Sequence, residues 1–263
     1  MKPIFILCIL FLVAITSMAK TNDTIYVKPA DLDLKALQTG HYSYILYNRQ
    51  TKESPAFHVT LMNFNIESKP FRNKPAFVVT QEWDRDTIIN AVNSVFSATD
   101  FSNIVHSNYW KSIGYAINFD FEAKTVDFVI KDPKVTIPDS IKTACINDFN
   151  QSFQKYNLNW HADLIIYQLL PYKDKRTFAI NFYDPGFGKA EDVMYTVTGS
   201  EILTDHYGKK IDCWVLSHDD AGNPGTYERF WIAKATKEVL KEEDFFGKRG
   251  YRYKIKIGIS GDL

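Results

Sequence analysis

A chain of 263 residues with 31 Lys and Arg against 31 Asp and Glu, 45% of it hydrophobic, can build one large domain or two small ones and carries no charge excess. That balance excludes an electrostatic case for nucleic acid or an anionic membrane as partner. Three cysteines, one of them in the first 19 residues, are too few for a disulfide scaffold.

At the N-terminus, Lys2 precedes an apolar run of 12 residues, Ile4 to Ile15, followed by Thr16-Ser17-Met18-Ala19 with small residues one and three places before a cut after Ala19. This reads as a secretory signal peptide over residues 1–19, because the run falls well short of the ~20 residues that span a bilayer. Cys8 lies inside the run, not directly after the small residues, so a soluble exported protein is expected, periplasmic or extracellular, rather than a lipoprotein. Cleavage removes one basic residue, Lys2, and leaves 30 Lys and Arg against 31 Asp and Glu. No later segment approaches transmembrane length, and no Pro/Gly/Ser-rich linker divides residues 20–263, which read as a single β-rich domain.

Strands are readable at His41–Arg49, Pro55–Asn65 and Pro75–Asp84, and Asp86–Lys111 leans the same way. In Tyr115-Ala116-Ile117-Asn118-Phe119-Asp120-Phe121 the odd positions are large and apolar, the period of a strand with one buried face. Val126–Ile130 continues the series. From Asp139 the rhythm changes: Ile141, Cys145, Phe149 and Phe153 recur every four residues, one stripe of an α-helix after Pro138. A second short helical piece, Leu164–Leu170, is stopped by Pro171. Strands resume at Thr177–Phe182, Val193–Thr198 and Ile211–His218. The A-I-N-F of Ala116–Phe119 recurs at Ala179–Phe182, but four residues sharing a strand pattern do not make a repeat.

In Arg229–Glu243, Phe230 and Ile232 share one strand face, Lys234-Ala235-Thr236-Lys237 reverses the chain, and Val239-Leu240 begins the return strand. The like-charged pairs Lys237/Lys241 and Glu238/Glu242 disfavour a helix there. The Glu and Lys residues of this hairpin read as a solvated rim. The closing strand, Tyr251–Ile257, alternates an aromatic or aliphatic face with a cationic face of Arg252, Lys254 and Lys256.

Strands, a helical insert at about 139–170, then strands again imply a mainly β fold. A large curled antiparallel sheet, a half-barrel, is expected with the helical insert packed in its concave face.

The Asp212-Cys213-Trp214 strand, the F-W-I-x-K-x-T-x-E-V-L-K hairpin from Phe230 to Lys241, and the alternating Tyr251–Ile255 strand together resemble the domain-of-unknown-function 3108 group of exported bacterial proteins. The resemblance is firmest over Lys209–Ile257. It implies the half-barrel of periplasmic lipoprotein carriers and an envelope location, with carriage of an apolar ligand only by analogy.

For chemistry, His161-Ala162-Asp163, Asp205-His206 and Ser217-His218-Asp219-Asp220 put histidine beside carboxylate, yet none has a spacing that shares two metal ligands on one helical face. Asp163 reads as stabilising the first turn of the helix it begins. Tyr183-Asp184-Pro185-Gly186-Phe187-Gly188-Lys189 lacks the framing of a phosphate loop and reads as a turn. Cys145 and Cys213 are either buried thiols or a bridge. The aromatic side chains Tyr115, Phe119, Phe149, Phe153, Phe178, Phe182, Trp214 and Trp231 either line an apolar cavity or fill it.

Three functions follow. The leading one is a binding protein that holds an apolar small molecule, an acyl chain or lipid, among those aromatic residues, with Leu164–Leu170 as a lid. The alternative is a non-catalytic envelope scaffold with a filled core that contacts an envelope protein. The third is a hydrolase, with or without metal, assembled from His161, His206 or His218. Nothing in the sequence asks for catalysis, a metal or a cofactor.

Overall fold

The structure, a computed structural model, describes residues 23–205 and 207–258. The expected signal peptide at 1–19 and His206 lie outside the described residues. The strands run β1 (Thr24–Tyr26), β2 (Gly40–Arg49), β3 (Phe57–Phe71), β4 (Lys74–Asp84), β5 (Ile88–Ser97), β6 (Asn103–Trp110), β7 (Tyr115–Asp120) and β8 (Thr125–Ile130). After the insert come β9 (Leu158–Asn159), β10 (Thr177–Tyr183), β11 (Glu191–Thr204), β12 (Lys210–Asp219), β13 (Tyr227–Ala233), β14 (Val239–Phe245) and β15 (Tyr251–Ile257).

All 15 belong to one sheet, ordered β1-β10-β11-β12-β13-β14-β15-β2-β3-β4-β5-β6-β7-β8, with β9 beside β10. It consists of two antiparallel meanders, β2–β8 and β10–β15, joined where the last strand pairs antiparallel with β2. The short β1 pairs parallel with β10. The expected half-barrel is borne out: β7 and β10 lie near opposite edges of the sheet, yet the Phe119 and Tyr183 rings are 6.5 Å apart. Only a sheet curled on itself brings them together.

Strand periodicity worked because one face is buried throughout. On β3 the inward residues Met62, Phe64 and Ile66 are buried while Leu61 and Val59 are exposed. The reversal at Lys234–Lys237 stands as expected, with Lys237 donating its N–H to Ala233 O and adopting φ +64°.

The insert divides into two helices with different roles. α1 (Asp139–Ser152) lies over the seam between the sheet edges, burying Cys145 and Phe149 against Phe119, Phe121 and Tyr183. Ile141 and Phe153, expected on the same stripe, are exposed, because α1 bridges the seam and does not sink into the hollow. α2 (Asp163–Ile166), with the 3₁₀ turns Trp160–Ala162 before it and Tyr167–Leu169 after it, occupies the hollow. Leu164, Ile165, Ile166, Tyr167, Leu169 and Leu170 are all buried in the main core with Phe178, Phe182, Tyr195 and Phe230. Each side chain so buried contributes about 1.5–3 kcal/mol. Read from sequence as a lid, this piece is a plug.

Candidate functional site

The eight aromatic residues expected at a cavity fall into three clusters. Phe178 and Phe182 lie in the main core, and Trp214 packs against it. Phe119 and Phe149, with Tyr115 at their margin, form the seam cluster under α1, where Phe153 meets Phe149 at 4.9 Å. Trp231 packs with Cys213, Val215 and Leu240 in a third cluster. Because Trp231 is opposite Val215 and alternates with Phe230 of the main core, that third cluster is on the other face of the sheet. Cys145 and Cys213 sit in different clusters as free buried thiols, each pushed up to about 11, chiefly by burial.

The closing strand requires a correction. Arg252, Lys254 and Lys256 are not a solvated cationic face, and the acidic residues of β14 are not a rim. Glu238, Glu242, Asp244 and Lys254 are all buried. The register dictates this: Glu228, Asp244 and Arg252 stand opposite one another on three adjacent strands, and Phe230, Glu242 and Lys254 form the next row. Same-face neighbours in a sheet meet, and opposite charges there attract. Arg252 Nε donates to Asp244 Oδ2 at 2.7 Å, Lys254 Nζ lies 2.7 Å from Glu242 Oε2, and Lys256 pairs with Glu238. Tyr195 donates its hydroxyl to Glu228 Oε2 at 2.7 Å.

Asp163 completes the network from above. Its Oδ1 accepts the Leu164 N–H at the start of α2, as expected of a helix-initiating carboxylate, while Oδ2 reaches Lys254 Nζ at 3.5 Å. Plug and sheet are thereby tied by an ion pair. Burial, then the neighbouring Asp244, raises Glu242 to about 7, and burial likewise raises Asp163, Glu228 and Asp244.

Beside this network a cavity of about 210 Å³ opens at the mouth of the hollow, with Lys254, Arg252 and Asp163 on one side and Trp83, Trp110 and Trp160 among its walls. Trp83 and Trp110 share a face because Asn90 of β5 stands opposite both. Their rings meet edge to face at 5.2 Å. Both indole N–H groups are buried without a hydrogen-bond partner, a condition costing about 1–3 kcal/mol per group.

The far wall is His161 and Asp184, whose Nε2 and Oδ1 are 3.2 Å apart. His161 is placed from behind by three groups: Asn108 at 3.0 Å from Nε2, Gln81 donating to its carbonyl, and the stacked ring of His106 at 5.0 Å. His106 is held neutral by burial, and Asn159 Nδ2 and Ser94 Oγ engage its Nδ1 at 3.0 and 2.9 Å. The Ser94–His106 pair has the spacing of a nucleophile and base, but both side chains are buried. Asp184 opens the expected turn: Phe187 N–H donates to Asp184 O at 3.0 Å, and Gly186 takes φ +91°. The left-handed φ favours glycine there, and a Cβ would lie 2.9 Å from Ile117 Cδ1. At Gly250 a Cβ would meet Arg49 O at 2.3 Å and push β15 off β2.

A larger cleft of about 540 Å³ includes Trp160, Glu228, His218 and the Asp219–Gly222 turn. Its groups are occupied: His218 Nδ1 is 2.9 Å from Met194 O, and Asp220 caps Gly222 and Asn223. Among the described residues no group of three His, Cys, Asp or Glu side chains could hold a metal, and no helix is long and apolar enough to cross a membrane. Trp83, Trp110, Trp160 and Asp184 were not singled out as site residues from sequence. The signal that exposes them is register, since Trp83 and Trp110 converge only once β4, β5 and β6 are paired.

A family model described as "Protein of unknown function (DUF3108)" matches residues 46–256. Among solved structures, the chain is similar to a β-barrel-like protein of the domain of unknown function DUF1849 from Brucella abortus, at 10% identity and TM-score 0.37 over 84% of this chain and 96% of that one. It is also similar to a DUF1329 family protein from Desulfovibrio piger, at 10% identity and TM-score 0.28 over 88% and 89% of the two chains. No curated protein matches the sequence.

Proposed function

The chain belongs to the DUF3108 family of proteins of unknown function, and from that premise we propose an exported, non-catalytic binding protein that takes a small ligand with an apolar face into the mouth of its half-barrel. One observation carries this reading: a cavity walled by three indoles beside a network of buried charge. A core built for stability alone would close such a space. A ligand with an apolar face against the rings fills it.

The apolar part of the ligand belongs at the mouth. Deeper in, Phe178, Phe182, Tyr167 and the leucines of the plug are in mutual contact, so an acyl chain or lipid would have to displace α2 and break the Asp163–Lys254 pair. Thermal denaturation with a broad panel of metabolites, sugars, fatty acids and lysolipids tests the proposal. A ligand that raises the wild-type midpoint and leaves Trp83→Ala unmoved supports it; no shift with any compound, or equal shifts in both proteins, contradicts it.

The scaffold reading has one observation in its favour. On the outer face of β2 and β3, Ile45 and Leu61 stand side by side with Val59 and Phe57 beyond, all exposed, and contiguous exposed apolar surface marks contact sites. A photo-cross-linker at Val59 should then trap one discrete protein partner in cells; a diffuse background would remove this reading.

A further inference from the structure

Resting on the reading of the mouth cavity as a ligand site, we infer that its ligand is a saccharide, bound by one ring laid against the indoles with its hydroxyl groups directed to Asp184 and His161. Four features of the cavity converge on that class.

The first is size. About 210 Å³ is below the roughly 300–1,000 Å³ of sites for larger organic ligands, so it accommodates one ring and not a long chain. The second is the form of the apolar wall. Trp83, Trp110 and Trp160 offer flat aromatic faces and edges, and an aromatic face is electron-rich. The C–H-rich face of a pyranose is flat and weakly electropositive, so it matches a ring in both shape and charge. An aliphatic chain uses only the area.

The third is the distribution of polar groups. The ion pairs leave available the Asp184 carboxylate, half exposed in the wall, and beside it the His161 ring, which together offer acceptor and ring-nitrogen positions. A hydroxyl donates and accepts at once, so a polyol can answer both. A fatty acid has one polar end and would leave at least one of these groups desolvated without a partner. The fourth is net charge. Arg252 and Lys254 are already engaged by Asp244, Glu242 and Asp163, and Asp184 faces them across the cavity. A carboxylate or phosphate head would meet more acid than free base, and a cationic ligand would meet Arg252 and Lys254. A neutral, hydrogen-bonding ligand meets neither penalty.

Saturation-transfer NMR and calorimetry decide it. The probes are the methyl glycosides of glucose, galactose, mannose and N-acetylglucosamine, their β-linked disaccharides, and sodium laurate and a lysophosphatidylcholine as chain-bearing controls. The expected result is binding of at least one saccharide, with saturation strongest on ring C–H protons. Its Kd should rise about tenfold or more in Trp83→Ala and in Asp184→Asn, and the chain-bearing probes should not compete. Trp83→Phe, which keeps an aromatic face, should recover part of the loss, and circular dichroism melts of each variant check folding. If laurate or the lysolipid binds in a Trp83-dependent manner and no saccharide does, the saccharide class is overturned while the cavity reading survives. Saccharide binding indifferent to both substitutions also overturns the inference. Silence from every probe refutes the saccharide class, and the broader thermal panel then decides the cavity itself.

Discussion

The two ends of the hollow solve opposite problems. Under α2 the interior is closely packed: Tyr167 meets Phe230 at 4.6 Å and Tyr195 at 5.2 Å, and Leu169 and Leu170 have no exposed surface. At the mouth, a few residues along the same strands, buried Glu242, Asp244 and Lys254 and half-buried Arg252 are paired beside an open aromatic cavity. Buried ion pairs are weak contributors to stability because desolvation offsets their attraction. The plug stabilises, and under the proposed function the mouth takes the ligand.

Substitutions should separate the two regions, the largest effect coming from the packed end. Phe182→Ala removes a buried ring that touches Trp160, Tyr167 and Tyr195, and should cost about 4 kcal/mol in urea unfolding. A loss below about 1 kcal/mol would mean that the plug is loosely packed. At the network, Lys254→Ala leaves Glu242 and Asp163 facing each other without their shared cation, and should cost about 3 kcal/mol. The double variant Lys254→Met with Glu242→Leu should regain most of it, and a fully additive loss would show that the pair is not coupled.

The pH dependence sharpens the contrast. Folded Glu242 titrates near 7 against an ordinary 4.5, so between those values the folded state holds a proton that the unfolded state has released. Stability therefore falls as pH rises from about 4.5 to about 7, by on the order of 2–3 kcal/mol from this group, and levels off above. Asp163, Glu228 and Asp244, raised by the same burial, add to the fall, with Lys254 and Arg252 opposing it. Glu242→Gln should flatten the slope of unfolding free energy across pH 5–7; an unchanged slope would place the titrating proton elsewhere. The smallest effect on stability belongs to the cavity wall. Trp83→Ala, at a half-buried ring, should cost about 1 kcal/mol or less while abolishing ligand response, the reverse of Phe182→Ala.

Most of the fold was legible because a period of two survives whenever one face of a strand is buried. The hairpin at Lys234–Lys237, the change to period four at Asp139 and the stop at Pro171 all fell where the residues placed them. What period cannot say is which face turns inward. Arg252 and Lys254 form a cationic stripe in either case; that it lies inside follows from Glu242 and Asp244, spaced by two on the neighbouring strand. That complementarity could have been read from the sequence by comparing adjacent strands. The aromatic residues misled for a related reason: Trp214 and Trp231 lie on paired strands, yet one packs against the main core and the other in the cluster on the opposite face. Trp83, Trp110 and Trp160 meet only through register and through the turn before α2, which no local pattern encodes.

The central claim is that the mouth cavity is a ligand site. The most direct measurement is native mass spectrometry of the full 263-residue chain purified without detergent, wild type beside Trp83→Ala. A discrete noncovalent adduct of small mass on the wild type, absent from a folded Trp83→Ala protein, is the predicted result. An adduct carried equally by both proteins would contradict the claim.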